Sequence, residues 1–206
     1  MKRAYLLSGE PGSGKTTIIK EVLSKVNKSA GGFYTEEIRS QGVRQGFKIV
    51  TLDGKSAVLA HTSVRSPHRV SKYGVDTDSM DKVAVPALKQ AIQSKDIIVI
   101  DEIGKMELFS PSFKDAVMEA LQSEKKVLGT IMLASHPWAD KIKERPEVEV
   151  IQVTRLNRNE VVNQVLAWIG ALSPFALLRV SVALSLAQKD ITLTCKGWEK
   201  WKELSF

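Results

Sequence analysis

Gly9-Glu10-Pro11-Gly12-Ser13-Gly14-Lys15-Thr16 follows the apolar run Ala4-Tyr5-Leu6-Leu7 and matches G-x-x-x-x-G-K-[ST], the pattern of a phosphate-binding P-loop. The setting is the one the pattern needs, with a strand before the loop and a helix after it. Gly9, Gly12 and Gly14 permit backbone angles that a Cβ forbids, so that consecutive N–H groups can turn inward. Those groups, together with the positive end of the following helix, cradle phosphate. Lys15 is placed to reach β/γ-phosphate oxygens, and the Thr16 hydroxyl to ligate Mg²⁺. A helix is expected over residues 15–26, because Ile18, Ile19, Val22, Leu23 and Val26 fall on one apolar stripe. The ligand class is a nucleotide polyphosphate.

The second half of such a site is Ile97-Ile98-Val99-Ile100-Asp101-Glu102. Four consecutive apolar β-branched residues predict a strand buried on both faces, as in a parallel sheet. Asp101 then sits at the carboxyl end of that strand, where open α/β sheets place ligands, and it matches a Walker B aspartate that holds the Mg²⁺ shell. Glu102 next to it is suited to orient the water that attacks the γ-phosphate, or to take its proton. Lys105 either meets the charge that develops on the γ-phosphate or pairs with Glu107 or Glu102. The candidate nucleotide contacts are Gly9, Glu10, Pro11, Gly12, Ser13, Gly14, Lys15, Thr16, Thr17, Asp101, Glu102, Ile103, Gly104 and Lys105. Lys15, Glu102 and Lys105 carry the chemistry among them, and Thr16 and Asp101 the metal.

The fold expected from these two words is α/β: a P-loop NTPase with a mostly parallel sheet flanked by helices. Residues 31–39, 46–52 and 57–61 read as strands, with Asp53-Gly54 as a hairpin turn, so a small antiparallel hairpin is inserted between the P-loop helix and the strand at 97–102. Residues 62–80 are polar and form either a surface loop or a lid that brings Arg65 or Arg69 to the phosphate. Glu36, Glu37 and Arg39 either face the nucleotide or end a solvated strand. Helices are expected over 81–93, despite Pro86, and over 113–121 behind Ser110-Pro111. Strands are expected over 127–132 and 148–153, with Thr130 near a strand end as a phosphate sensor and His136-Pro137-Trp138 as a turn. Asn157 with Glu160 resembles a capping box. That arrangement puts Arg158 in a first helical turn, against the dipole, which calls for a compensating anion.

Asp101-Glu102-Ile103-Gly104-Lys105-Met106-Glu107-Leu108-Phe109 resembles the extended Walker B signature of the small nucleoside-triphosphatases that include the human cancer-related nucleoside-triphosphatase. Gly32-Phe33-Tyr34-Thr35-Glu36-Glu37-Ile38-Arg39 is similar to a second word of that family, and Gly46-Phe47, Tyr73-Gly74-Val75 and Asn157-Arg158 fall where the family has them. The resemblance covers roughly residues 1–170. It implies Mg²⁺-dependent hydrolysis of NTP to NDP and phosphate with broad tolerance of the base. The residues fit that tolerance independently, because the chain has no Asn-Lys-x-Asp guanine reader after the P-loop; Asn27-Lys28 continues to Ser29-Ala30.

Composition sets the outer bounds. The chain has 206 residues, 43% hydrophobic and 26% charged, which suits a globular P-loop domain over residues 1–172 with an extension over 173–206. The net charge of +7 is scattered, so nucleic acid is not indicated as a partner beyond the nucleoside triphosphate. The single cysteine excludes an internal disulfide and fits a cytoplasmic or other reducing intracellular compartment. Residues 165–187 are nearly continuous in apolar side chains, but Pro174 and Arg179 interrupt them and argue against a membrane span. Trp198 and Trp201 among Lys196, Lys200 and Lys202 suit either an interface or a disordered end. Two other activities remain compatible with the same site: a kinase, with an acceptor hydroxyl in place of water, and a nucleotide-dependent binding protein in which slow hydrolysis is a timer.

Overall fold

The computed structural model describes residues 2–170. In chain order the elements are β1 (Ala4–Ser8), α1 (Lys15–Lys25), β2 (Ala30–Ser40), β3 (Val43–Thr51), β4 (Ser56–His61), β5 (Arg69–Val70), β6 (Tyr73–Val75), α2 (Thr77–Ser79), a π turn (Met80–Ala84), α3 (Val85–Ser94), β7 (Ile97–Ile103), a 3₁₀ turn (Glu107–Phe109), α4 (Pro111–Gln122), β8 (Lys126–Ile131), α5 (Pro137–Lys143), β9 (Val148–Gln152) and α6 (Arg158–Ile169). The strands form one sheet in the order β5-β6-β4-β3-β2-β7-β8-β1-β9.

The sheet has two halves. From β2 to β9 every pairing is parallel, and from β2 outward through β3, β4, β6 and β5 every pairing is antiparallel. β2 joins them. Its first residues run parallel to β7 and its later ones, Phe33 to Ser40, pair with β3. The expected hairpin insertion is therefore larger than predicted. Residues 62–80, read as a loop or lid, contain a second short hairpin, β5–β6, that extends the sheet instead of moving over it. His68 there stacks on Phe109 with ring centroids 4.7 Å apart, and this contact pins the segment to the 3₁₀ turn.

β7 is buried on both faces, as its apolar run predicts. Ile98 and Ile100 enter the core shared with α3 and α4, and Ile97 and Val99 enter the core shared with α1 and α6. In α1, Ile18, Ile19 and Val22 are the buried stripe, and Val26 is the C-cap instead of the last helical residue. Pro86 does not break its helix. It has no N–H to offer Lys82, and the chain absorbs this with the π turn immediately before it. Ser110 caps α4 by accepting from the Phe113 N–H. His136-Pro137-Trp138 starts α5 instead of forming a free turn, with the His136 ring as cap.

The capping box expected at Asn157 and Glu160 is not formed, because the Asn157 side chain is committed elsewhere: its oxygen accepts from the Thr154 N–H at 2.8 Å and its amide donates to the Gln152 carbonyl at 2.8 Å. Among the described residues no helix is long and apolar enough to cross a membrane. The expectations for residues 171–206, including the tail tryptophans, lie outside the described residues.

Candidate active site

The P-loop, the starts of α1 and α6, and residues of β2, β3, β4, β5 and β7 converge on a cavity of about 630 Å³. The P-loop leaves β1 and enters α1 with Gly14 at φ 99°, a left-handed angle, as the helix N-cap. Gly14 makes no side-chain cap, so the first N–H groups of α1 are free to meet an anion. Gly9 is needed for space: a Cβ there would stand 2.3 Å from the Val153 carbonyl oxygen, where β1 passes β9. The Lys15 ammonium curls back over the loop and donates to the carbonyls of Gly9 at 2.8 Å and Glu10 at 3.2 Å. Pro11, Gly12, Gly14, Lys15, Thr16 and Thr17 line the cavity, whereas the Ser13 hydroxyl is buried without a partner among the described residues.

Asp101 and Glu102 sit where the β7–β8 ladder slips register, between the Ile100 and Ile103 pairings. Successive strand residues normally point to opposite faces, and a bulge re-aims them. Both carboxylates line the same cavity. Asp101 is 2% exposed, and its Oδ1 accepts from the Thr130 hydroxyl on β8 at 2.6 Å. Thr130, expected as a phosphate sensor, is thus the residue that orients Asp101. Burial raises the pKa of Asp101, while the Thr130 and Thr16 hydroxyls and the Lys15 charge favour the ionised form. Its Oδ2 makes no hydrogen bond of normal geometry among the described residues, although the Thr16 hydroxyl is near enough to favour its charge. A buried, unsatisfied carboxylate oxygen facing a hydroxyl is a donor set of the hard-oxygen kind that Mg²⁺ takes. No group of three or more His, Cys, Asp or Glu that could hold a metal exists among the described residues. A metal here would be completed by phosphate and water, as Mg²⁺ usually is.

Glu102 is half-buried, and its pKa is raised by burial and by the Asp101 charge, with Lys15 acting in the opposite direction. Lys105 and Gly104 line the cavity, and Lys105 makes no ion pair with Glu102 or Glu107 among the described residues. Ile103 is fully buried in the core and does not line the cavity, and Gly9, Glu10 and Ser13 support its walls without lining it.

Of the candidate arginines, only Arg158 lines this cavity. Its Nε donates to the Ser13 carbonyl at 2.7 Å and one terminal N–H to the Gly12 carbonyl at 3.3 Å. The anion that its helix position calls for is therefore the partial charge on P-loop carbonyls, and Arg158 braces the loop from α6. Arg65 and Arg69 do not line the cavity, and Arg69 donates to the Lys72 carbonyl at 2.9 Å. Glu36 pairs with Lys20 and Lys48 at 3.0 and 3.1 Å. Glu37 reaches the cavity but is paired with Arg39 and Arg44 at 2.5 and 2.7 Å.

Sequence reasoning gave no site role to Arg44, Thr35 and Phe47, which the antiparallel half of the sheet brings to the same cavity, nor to Glu107, which reaches it from the 3₁₀ turn. Glu107 is 5% exposed, and burial together with the Glu102 charge pushes its carboxyl up to about 8. The signal that would have found it is its place in the Asp101–Phe109 word, where it was read only as a partner for Lys105.

A family model described as "NTPase" matches residues 4–166. A nucleoside-triphosphatase THEP1 of Thermotoga sp. (strain RQ2) is 48% identical over 162 residues, covering 79% of this chain and 92% of that protein. The human cancer-related nucleoside-triphosphatase is 41% identical, covering 78% and 93%. The crystal structure of THEP1 from Aquifex aeolicus superposes with a TM-score of 0.75 at 35% identity, covering 81% of this chain and 98% of that one. These matches span the sheet and both halves of the cavity, and the chain belongs to the P-loop nucleoside-triphosphatase family, hydrolases among which the human cancer-related enzyme is one.

Proposed function

We propose that the chain hydrolyses nucleoside triphosphates to the diphosphate and phosphate, that the reaction depends on Mg²⁺, and that the base is only loosely selected. The observation that carries this reading is the convergence of the P-loop and the Asp101–Glu102 bulge on one cavity. The P-loop N–H groups and Lys15 bind the phosphates and hold them against the end of β7. Thr16 and Asp101 would hold Mg²⁺, which would supply positive charge to stabilise the developing phosphate charge. Glu102 aligns a water opposite the bond that breaks and takes its proton as the water oxygen bonds to the γ-phosphorus, while the diphosphate leaves with the bridging oxygen. Lys105 and the curled Lys15 offer charge to the oxygens as the transition state develops. Loose base selection is supported by the absence of an Asn-Lys-x-Asp reader.

The test is Mg²⁺-dependent phosphate release from a panel of ribo- and deoxynucleoside triphosphates. Lys15→Ala should abolish turnover. Glu102→Gln should lower it roughly 10²–10⁴-fold with nucleotide still bound. Label passing to an acceptor hydroxyl instead of to free phosphate, or wild-type turnover in Glu102→Gln, would refute the corresponding part of the reading.

A further inference from the structure

The positive charge that reads as scattered along the sequence is gathered by the fold. From Ile38 to Val75 seven lysines and arginines meet one acid, Asp53. With Glu36 and Glu37 counted as well, the antiparallel stretch from Phe33 to Val75 still carries +4 of the chain's +7. Both of those acids are already paired, Glu36 with Lys20 and Lys48 and Glu37 with Arg39 and Arg44. A surface of one sign raises the local concentration of its counter-ions, here anions.

Part of this charge lines a second hollow. Arg39, Arg44 and Lys72 wall a groove of about 580 Å³ that has no carboxylate in its lining. The groove is aromatic as well as basic. Phe47 and Tyr73 meet edge to face with ring centroids 5.4 Å apart, the Arg44 guanidinium carbon lies 5.2 Å from the centre of Phe47, and the Lys72 ammonium lies 5.5 Å from that of Tyr73. Arg44 is held in place, because its Nε donates to the Tyr73 hydroxyl at 3.3 Å and a terminal N–H donates to Glu37 at 2.7 Å. Val43, 54% exposed, adds an apolar edge. Arg44, Phe47, Val70 and Met106 line the groove and the catalytic cavity alike, so the two hollows are continuous. No residue of the P-loop or of α6 lines the groove.

We propose that this groove binds single-stranded nucleic acid, with backbone phosphates on Arg39, Arg44 and Lys72 and bases against the aromatic edge that Phe47 and Tyr73 form. Cations that track a backbone and aromatic rings that take any base are the two parts of a sequence-tolerant single-strand site. Bases stacked inside a duplex cannot reach into such a groove. An acidic peptide answers to the charge but leaves the rings without a partner. The nucleoside end of a bound triphosphate is a poorer occupant. The groove leaves the catalytic cavity beside Met106, next to Lys105, on the side where the proposed function puts the γ-phosphate and the attacking water. That last step alone rests on the proposed function; the charge and the lining stand without it.

The experiment is fluorescence anisotropy of labelled oligo-dT and oligo-U, each of about 15 nucleotides, titrated with the full chain over a range of salt. Both should bind, with log K falling against log salt at a slope of about −2, as three neutralised phosphates require. The double variant Arg69→Glu/Lys72→Glu reverses two exposed charges at the β5–β6 turn, Lys72 in the groove and Arg69 donating to its carbonyl. It should weaken binding about tenfold or more. Lys89→Glu/Lys141→Glu makes the same change in net charge on α3 and α5 and should stay within about twofold. Thermal melting of each variant reports the fold. Saturating ADP should leave the oligonucleotide bound, and duplex DNA or polyglutamate should compete at least about tenfold less well than unlabelled single strand.

No binding by about 10⁻⁴ M protein overturns the proposal, since even non-specific sites bind by then. So does an equal loss in the α3 and α5 control, which would make the effect one of net charge. Full displacement by ADP would assign the groove to the nucleotide's own base, and equal competition by duplex or polyglutamate would make it a general anion surface; either result overturns the single-strand reading. Binding is read without a triphosphate, so a chain that releases no phosphate can still bind the strand. Failure of the hydrolytic reading and failure of this one are therefore seen separately.

Discussion

Replacing Glu107 by Gln should stabilise the fold, by an amount that grows with pH. In the folded chain the Glu107 carboxyl is raised from 4.5 to about 8 by burial and by the neighbouring Glu102 charge. A carboxyl raised in the folded state favours folding fully only below its unfolded value. Its contribution is lost as the pH rises through the window from about 4.5 to about 8, because the unfolded chain ionises freely while the folded one holds its proton. Each pH unit in that window costs wild type roughly 1.4 kcal/mol, so by pH 8 the accumulated penalty is on the order of 4 kcal/mol. Set against a typical stability of about 5–15 kcal/mol, that is a large fraction. Gln has nearly the same shape and does not titrate, so the two proteins should unfold alike near pH 4.5 and diverge steadily up to pH 8. Urea unfolding of both proteins at half-unit steps of pH measures the difference directly. A gap that stays flat across the window would show that Glu107 ionises in the folded chain as freely as in the unfolded one, and the assignment of a neutral acid beside Glu102 would be wrong.

Three further perturbations probe the supports of the site. Arg158→Ala removes the donors to the Ser13 and Gly12 carbonyls and should weaken nucleotide binding about tenfold, near 1.4 kcal/mol, in a fluorescent-nucleotide titration. Thr130→Val removes the hydroxyl that donates to buried Asp101 at 2.6 Å. It should cost about 1–3 kcal/mol in urea unfolding and raise the Mg²⁺ concentration needed for half-maximal turnover. Gly129→Ala puts a Cβ 2.3 Å from the Ile100 carbonyl oxygen, in the ladder next to the bulge. It should destabilise by about 1–3 kcal/mol and reduce turnover by displacing Asp101.

The parts of the fold legible in the sequence are those whose residues answer to local rules. The P-loop glycines, the α1 stripe of Ile18, Ile19 and Val22, and the doubly buried run of β7 each have one physical solution, and each was found. What escaped is settled between distant segments. Asn157 looked like a cap, but its side chain is drawn to Thr154 and Gln152. Thr130 looked like a phosphate sensor because its strand ended near the site, but the register of β8 against β7 puts its hydroxyl on Asp101. Residues 69–75 are too short and too polar to show a strand period, and pairing with β4 makes them strands. Spacing along the chain shows that Arg158 opens a helix but not that this helix packs beside α1 with its guanidinium on the P-loop carbonyls.

The raised carboxyls explain why the site is built at the bulge and not on a regular strand end. Asp101, Glu102 and Glu107 are all shifted toward their neutral forms by burial, and Glu102 and Glu107 also by one another or by Asp101. On a regular strand Asp101 and Glu102 would point to opposite faces, with one carboxylate driven into the core against Ile98 and Ile100. The slip between Ile100 and Ile103 puts both on the cavity side, where Lys15 already offers charge. The cost of bringing three acids together falls on the folded state, as the pH dependence of Glu107→Gln would reveal. Under the proposed function, a cation and the donors that accompany a nucleotide would relieve it. If the cavity takes metal and phosphate as proposed, those ligands would offset the cost of crowding these acids, which ties the strain of the fold to the chemistry at its edge.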